Sequence, residues 1–384
     1  GPYERTIRQT FSQAPDSSNE HRYESAFWAI SQFMVYDSIV EKGFRKTVAA
    51  YDRLDDETRR SFLEALYTVH PPGYSKAVWD IMTAEKHPKR FSMAALYLLQ
   101  ENRQFLSMVR RELGHRLEAN PGHPVLTCLQ NELDKRERPP ETLPSLQSLF
   151  SWQKGKRIKT IYSFQRQDRN YPGLALVQYE DGHFARDASG NYIAVRQLAR
   201  AASNLPYFIT NGNTPQGIFS IQGTGTSMNN FIGPTPNIQM LMPFEGYWRD
   251  FFHAEGDSLQ ALGRYLEILP EDWRGYAPMQ EAFDAGRAGR TEIIAHGTTI
   301  DPAFFEGRSF YPISPTLGCL CAREDWDEKT GLLTESEQYR LVETFLGTAG
   351  DKGYLFVINL DNKREAVQLS ELKPLLDRFE QSLR

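Results

Sequence analysis

The chain has 384 residues, 40% of them apolar and 12% aromatic, enough to bury a core and divide into two or three domains. A net charge of −5, with no dense Lys/Arg stripe, leaves no broad basic surface for nucleic acid. No window holds the roughly 18–20 consecutive apolar residues that a membrane span needs. The three cysteines include no C-x-x-C pair and the histidines no H-E-x-x-H, so neither a metal nor another cofactor is expected.

Residues 1–20 read as a flexible N-terminal segment, and a start at Gly1-Pro2 without Met fits a chain whose export signal has been removed. Over 21–140 the apolar residues recur at helical spacing, as in Phe27, Ile30, Phe33 and Met34, then Phe62, Leu63 and Leu66, which predicts a helical domain. Asp55 and Asp56 precede one such segment. His-Pro pairs at His70, His87 and His123 are expected at helix entrances, where proline suits the first turn. The charged, proline-rich run R-E-R-P-P-E-T-L-P leads into a linker, placed at 141–149.

From there the pattern turns to strands. Residues 174–184 read as a hairpin turning at Asp181-Gly182, 207–221 as two strands around N-G-N-T-P-Q-G, and 353–360 as a buried strand. A helical insertion is expected at about 255–286, and a C-terminal helix at 363–384. The fold class is therefore α+β and multidomain: an N-terminal all-α domain, then a mainly β domain over 150–362 that carries the insertion. G-T-G-T-S-M-N-N at 223–230 lacks the G-K-[ST] ending of a phosphate loop and reads as a mobile connection.

Chemistry concentrates in two short runs. I-I-A-H-G at 293–297 is an apolar strand ending in His296, and S-P-T-L-G-C-L-C at 314–321 places Cys319 after a glycine. A cysteine acyl-transfer site needs a thiol, a base within reach and backbone donors for the oxyanion. Taken alone, Cys319 fits a nucleophile and a buried structural thiol equally well. His253 is the second choice for the base, because its polar surroundings look helical. Phe244, Trp248 and Phe252, four residues apart, suit a core-facing helix better than a substrate groove.

T-P-Q-G at 214–217, H-G at 296–297 and T-L-G-C at 316–319, in that order, resemble the L,D-transpeptidase family with its YkuD-type catalytic domain, which carries T-P-x-G, H-G and S-H-G-C. The resemblance implies Cys319 as nucleophile, His296 as base, and the backbone N–H groups of Leu317, Gly318 and Cys319 as oxyanion hole. Thr214, Pro215 and Gly217 would form a structural turn near the sheet edge, with no part in the chemistry. Ser314, Thr316, Tyr311, Arg323, Trp326 and Gly297 are candidates for substrate contact. This chain departs from the family at Leu317, where the family has histidine, at Thr316, where it has serine, and at Cys321, where arginine or asparagine is common. A divergent member is the expectation.

What the resemblance implies is a bacterial periplasmic or cell-envelope enzyme acting on peptidoglycan stem peptides. A thioester at Cys319 would pass to an amine and crosslink the wall, or to water and trim a tetrapeptide as an L,D-carboxypeptidase. The insertion, with Tyr265, Trp273 and Tyr276, is either a lid sheltering the thioester or a packing element. Papain-like and NlpC-type hydrolases place the nucleophile before the histidine, and no histidine follows Cys319. A non-catalytic envelope protein with a degenerate site stays open. The helical half is equally open as a docking module for an envelope partner, a spacer or part of the groove.

Overall fold

Apolar side chains three and four residues apart organise the first part of the chain into helices. The computed structural model describes residues 2–255 and 259–384, so 256–258, within the expected insertion, lie outside the described residues. The chain divides into two units, one of Gly1–Pro140 with Ala202–Gly212, the other of Glu141–Ala201 with Asn213–Arg384.

In the first unit the helices are α1 (Pro2–Phe11), α2 (Glu20–Phe33), α3 (Ser38–Ala50) and α4 (Asp56–Val69). They are followed by α5 (Ser75–Ala84), α6 (Pro88–Glu101), α7 (Phe105–Ala119) and α8 (Pro124–Lys135). Side-chain caps start several of them: Asp37 accepts from the amides of Ile39 and Val40, and Asp55 from Thr58. His87 caps α6 through its ring and His123 precedes α8, as the His-Pro pairs suggested. His70 does not follow that pattern. It closes α4 in the left-handed conformation, φ 45°, so it stands at a helix exit.

Two expectations are corrected here. Residues 1–20 are not a loose tail, because Ile7 and Phe11 of α1 are each only 3% exposed. The Phe11 ring meets Tyr23 at 5.3 Å and Phe27 at 5.8 Å, inside an aromatic core that continues to Phe44 and Phe62. Ten residues with two buried anchors are too short for periodicity to register. The predicted strand at 207–210 is also absent: 202–212 runs as turns and belongs to the helical unit. There Leu205, Phe208 and Ile209 are fully buried, Lys89 Nζ donates to Thr210 Oγ1 (2.7 Å), and Asn211 Nδ2 donates to the Glu64 carboxylate (3.1 Å). A short apolar run flanked by turn residues fits a buried loop as well as a strand.

In the second unit α9 (Leu146–Lys156) takes up half of the expected linker 141–149, with Leu146, Leu149 and Phe150 buried in the core. The strands are β1 (Thr160–Arg166), β2 (Gly173–Gln178), β3 (Ala194–Leu198), β4 (Gly217–Gly225) and β5 (Asn237–Leu241). Four helices follow: α10 (Trp248–Phe252), α11 (Ala261–Glu267), α12 (Glu271–Arg274) and α13 (Glu281–Arg287). Then come β6 (Ala295–His296), β7 (Leu320–Ala322), β8 (Glu324–Trp326), β9 (Leu333–Ser336), α14 (Glu337–Phe345), β10 (Gly353–Asp361) and α15 (Leu369–Gln381). Eight strands close a barrel in the order β1-β10-β4-β5-β6-β7-β3-β2, while β8 and β9 form a separate ribbon. Closure leaves no unpaired barrel edge. The turn at Gly182 (φ 96°) forms as expected, but its return limb pairs only at the single bridge between Gln178 and Phe184.

The insertion is helical, and its aromatic residues belong to the core. Tyr265 and Trp273 are fully buried and Tyr276 nearly so. Tyr265 Oη donates to the Met279 carbonyl (2.6 Å) and accepts from the Ile218 amide (2.9 Å), which locks α11 onto β4. These rings cannot work as a lid while they hold the barrel wall. Trp248 and Phe252 stack on one another in α10, and Trp248 also on Phe283. Phe244, however, precedes the helix at φ 70° and, though it touches Trp248 and Phe283, is 45% exposed, so the three do not form one core-facing helix face. No helix among the described residues is long and apolar enough to cross a membrane.

The order of α1 is directly testable. Phe11→Ala should cost about 3–5 kcal/mol, as other buried Phe truncations do, and should lower the urea midpoint of the helical unit. An unchanged midpoint would return residues 1–20 to a dispensable tail.

Candidate active site

The T-P-Q-G turn is built for a close approach. Gly217 opens β4 at φ 126°, and a Cβ there would lie 2.5 Å from Tyr265 Oη, so only glycine fits. The Thr214 amide donates to the Ala199 carbonyl (3.1 Å), and buried Arg169 donates to the Thr214 carbonyl (3.2 Å). The Thr214 hydroxyl then reaches across to donate to the Gly318 carbonyl at 2.8 Å. The turn expected to be structural thus braces the cysteine loop.

That loop is folded by its own threonine. Thr316 Oγ1 accepts from the Gly318 amide (3.1 Å) and donates to the Cys319 carbonyl (2.8 Å). Gly318 sits at φ 117°, a conformation that L side chains rarely adopt. Of the three amides expected in an oxyanion hole, the Gly318 N–H is thus already spent on Thr316. The N–H groups of Leu317 and Cys319 make no hydrogen bond among the described residues. Thr316 is a clamp on the loop and holds no hydroxyl in reserve for substrate.

Beside this loop, β6 and β7 pair in parallel for two rungs, Ala295 with Leu320 and His296 with Cys321. Facing residues in a ladder share a face, and so do residues two apart along a strand. His296 and Cys321 therefore lie on one face, and Cys319 stands in the bend just before β7. His296 is buried, and its Nδ1 is hydrogen-bonded to the Gly297 carbonyl. A carbonyl only accepts, so Nδ1 carries the proton and Nε2 keeps its lone pair. Burial holds the imidazole below its usual pKa.

The partly exposed thiol of Cys319 is turned toward the strand before His296. Sγ donates to the Glu292 carbonyl (3.4 Å) and receives the Ile294 amide, and no hydrogen bond joins it to His296 among the described residues. Burial pushes this thiol up to about 11, against the Ile294 amide and the Arg290 charge, which both pull it down. Arg290 is itself buried, and its Nη1 donates to the Asn213 carbonyl (3.2 Å) beside Thr214. Glu292 adopts φ 60°, and the Glu245 carboxylate fixes it by accepting from the amides of Glu292 (2.7 Å) and Met242 (2.9 Å). Cys321 is fully buried, with its thiol pushed up by burial.

The remaining candidates separate. Ser314 is buried and donates to the Ile300 carbonyl (3.3 Å), a structural role. Arg323 is engaged by Asp325, with two contacts of 3.1 and 2.5 Å, so its charge is not offered to a substrate carboxylate. Trp326 is tied by Nε1 to the Thr298 carbonyl (2.9 Å), whereas Tyr311 is 46% exposed and stays available. Gly297 is demanded by packing, since a Cβ there would overlap the Glu324 carboxyl. His253 lies away from this loop, with Nε2 3.0 Å from both Ser220 Oγ and the Gly353 carbonyl. That carbonyl requires a proton on Nε2, which leaves the lone pair on the buried Nδ1, so it is the place of His253 beside Ser220 and Gly353, not its tautomer, that sets it aside. Arg290, Glu245 and Glu292 carry no sequence signal, because an isolated charge between turns usually marks solvent.

Two measurements test this geometry. Thr214→Val leaves the buried Gly318 carbonyl without its donor and should cost about 1–3 kcal/mol in urea unfolding; a neutral result would separate T-P-Q-G from the cysteine loop. Alkylation of Cys319 by iodoacetamide, followed by peptide mass, should rise with pH toward a midpoint near 11, and Arg290→Met should move that midpoint higher. A midpoint at or below that of an ordinary thiol would contradict the buried setting.

No family model, no curated protein and no solved structure matches this chain.

Proposed function

We propose that the barrel unit is a cysteine acyltransferase of the L,D-transpeptidase type, a divergent YkuD-like domain acting on peptidoglycan stem peptides in the bacterial envelope. The observation that carries this reading is the hydrogen bond from Thr214 to the Gly318 carbonyl, together with the β6·β7 pairing. The first motif is bonded to the cysteine loop and the second lies on the strand paired with β7, which supports the roles that the resemblance implies.

The chemistry starts from a neutral pair. With the thiol raised and the imidazole lowered, neither group is charged at neutral pH, unlike a stored thiolate–imidazolium pair. Rotation about χ1 of Cys319 carries Sγ from the Glu292 carbonyl toward His296 Nε2. As Sγ bonds to the carbonyl carbon of the L-centre diamino acid, its proton passes to Nε2. The carbonyl oxygen becomes an oxyanion facing the Leu317 and Cys319 amides, each such donor typically worth about 2.7–4 kcal/mol. Collapse breaks the peptide bond, and the D-alanine amine leaves with the proton from Nε2. An acceptor amine then attacks the thioester, giving a proton to Nε2; the C–S bond breaks as the new amide forms the crosslink, and Nε2 returns the proton to Sγ.

A second reading, hydrolysis to trimmed tripeptides, is favoured by the buried state of Tyr265, Trp273 and Tyr276. Without shelter from those rings, water competes for the thioester.

Incubation with disaccharide-tetrapeptides, with products resolved by mass, decides between them: crosslinked dimer supports transpeptidation and trimmed monomer supports hydrolysis. A carbapenem should leave a covalent adduct on Cys319. Cys319→Ala should abolish both signals, and His296→Ala should slow turnover by about 10²–10⁴-fold. Untouched substrate together with no adduct would overturn the proposal in favour of a non-catalytic envelope protein.

A further inference from the structure

Glu324 is a carboxyl in an unusual place. It opens β8, is 3% exposed, and faces Ser336 of β9, whose hydroxyl donates to Oε1 at 2.7 Å. Its other oxygen, Oε2, is buried and has no donor at hydrogen-bond length. The carboxyl is pressed on the Cα of Gly297, which is why a Cβ there would overlap it, and the Thr298 amide and Thr235 hydroxyl turn toward it. A buried acid with half its acceptor capacity unspent is costly and calls for an explanation.

The Gly297 carbonyl and the Thr298 N–H are the two ends of one planar peptide group. At the carbonyl end the His296 Nδ1–H donates to the oxygen; at the amide end lies the Glu324 carboxyl. We propose that Glu324 is a positioning residue for His296, acting through the peptide group that joins Gly297 to Thr298. Negative charge near the N–H end draws electron density toward the carbonyl oxygen and strengthens its hold on Nδ1–H, an effect enlarged by the low dielectric of a buried site. When Nε2 takes the thiol proton, the imidazolium is stabilised by that carbonyl with the carboxylate behind it. The arrangement does the work of the acid in a Ser-His-Asp triad with a peptide interposed.

Neighbouring groups leave this line undisturbed. Arg323 and Asp325, on either side of Glu324 in the chain, are paired with each other. Cys321 faces the carboxylate with its own thiol held protonated by burial, and Glu337 at the head of α14 is surrounded by Arg196, Arg323 and Arg340. Burial raises the Glu324 carboxyl, so its charged form is gained as pH rises, the same direction in which the thiol becomes reactive.

This inference rests on reading Cys319 and His296 as a nucleophile–base pair, and its test separates the two claims. Iodoacetamide alkylation of Cys319 is followed against pH by peptide mass in the full chain and in Glu324→Gln, Ser336→Ala and His296→Ala. Glu324→Gln should slow alkylation at neutral pH by about tenfold, one pKa unit of imidazole basicity, and shift the profile to higher pH. Ser336→Ala, which keeps the carboxyl but loosens it, should shift the profile in the same direction by less, and it decides the matter if Glu324→Gln fails to fold. A wild-type profile in the Glu324 and Ser336 variants beside an altered one in His296→Ala would reduce Glu324 to packing. A wild-type profile in His296→Ala would overturn the nucleophile–base pair and the role of Glu324 with it.

Discussion

Two rungs of parallel ladder, between Ala295–His296 and Leu320–Ala322, hold the candidate site together. A pairing this short has little strength of its own, so its neighbours must fix it. Gln338 Nε2 donates to the Ala295 carbonyl (3.0 Å), and Glu245 secures the segment just upstream. From the other side Thr214 draws in Gly318. Each brace comes from a different part of the barrel unit, which is why the thiol and the imidazole depend on the whole barrel.

Burial sets the electrostatics of the same pair. It raises the thiol and lowers the imidazole, which keeps both neutral, while Arg290 and the Ile294 amide lean toward the thiolate. Such a site resists oxidation and stray alkylation, because the thiolate forms only when a proton acceptor and an electrophile coincide. The positive φ at Glu292 and Gly318, on the two segments that meet at Sγ, shows backbone conformation given over to aiming carbonyls and amides at one point.

Much of the fold was legible where a pattern repeats. The helices over 21–140, the buried strand at 353–360 and the helical insertion all follow from periodicity, and the caps at Asp55 and His87 from local chemistry. Short elements were missed. Phe11 and Ile7 anchor a helix too brief to show a period, and Phe208 and Ile209 look like half a strand yet lie in a loop. His70 shows the same limit, since a His-Pro pair fits the end of one helix as well as the start of another.

At the site, residue types and chain order were set by the sequence: a glycine before Cys319, a glycine after His296, and a threonine-led turn upstream. The reasons for them are tertiary. Gly297 is required by a carboxyl folded against it, Gly217 by a tyrosine from α11, and the Thr214 hydroxyl by a carbonyl about a hundred residues away in the chain. Whether Arg323 was free, whether Tyr265 covered the site or held the wall, and which ring nitrogen of His296 kept its lone pair all turned on partners brought in by folding. Sequence spacing carries what neighbours along the chain impose on one another. Hydrogen-bond partners and burial across the barrel are decided only when distant segments pack, because both depend on distances that the chain order does not contain.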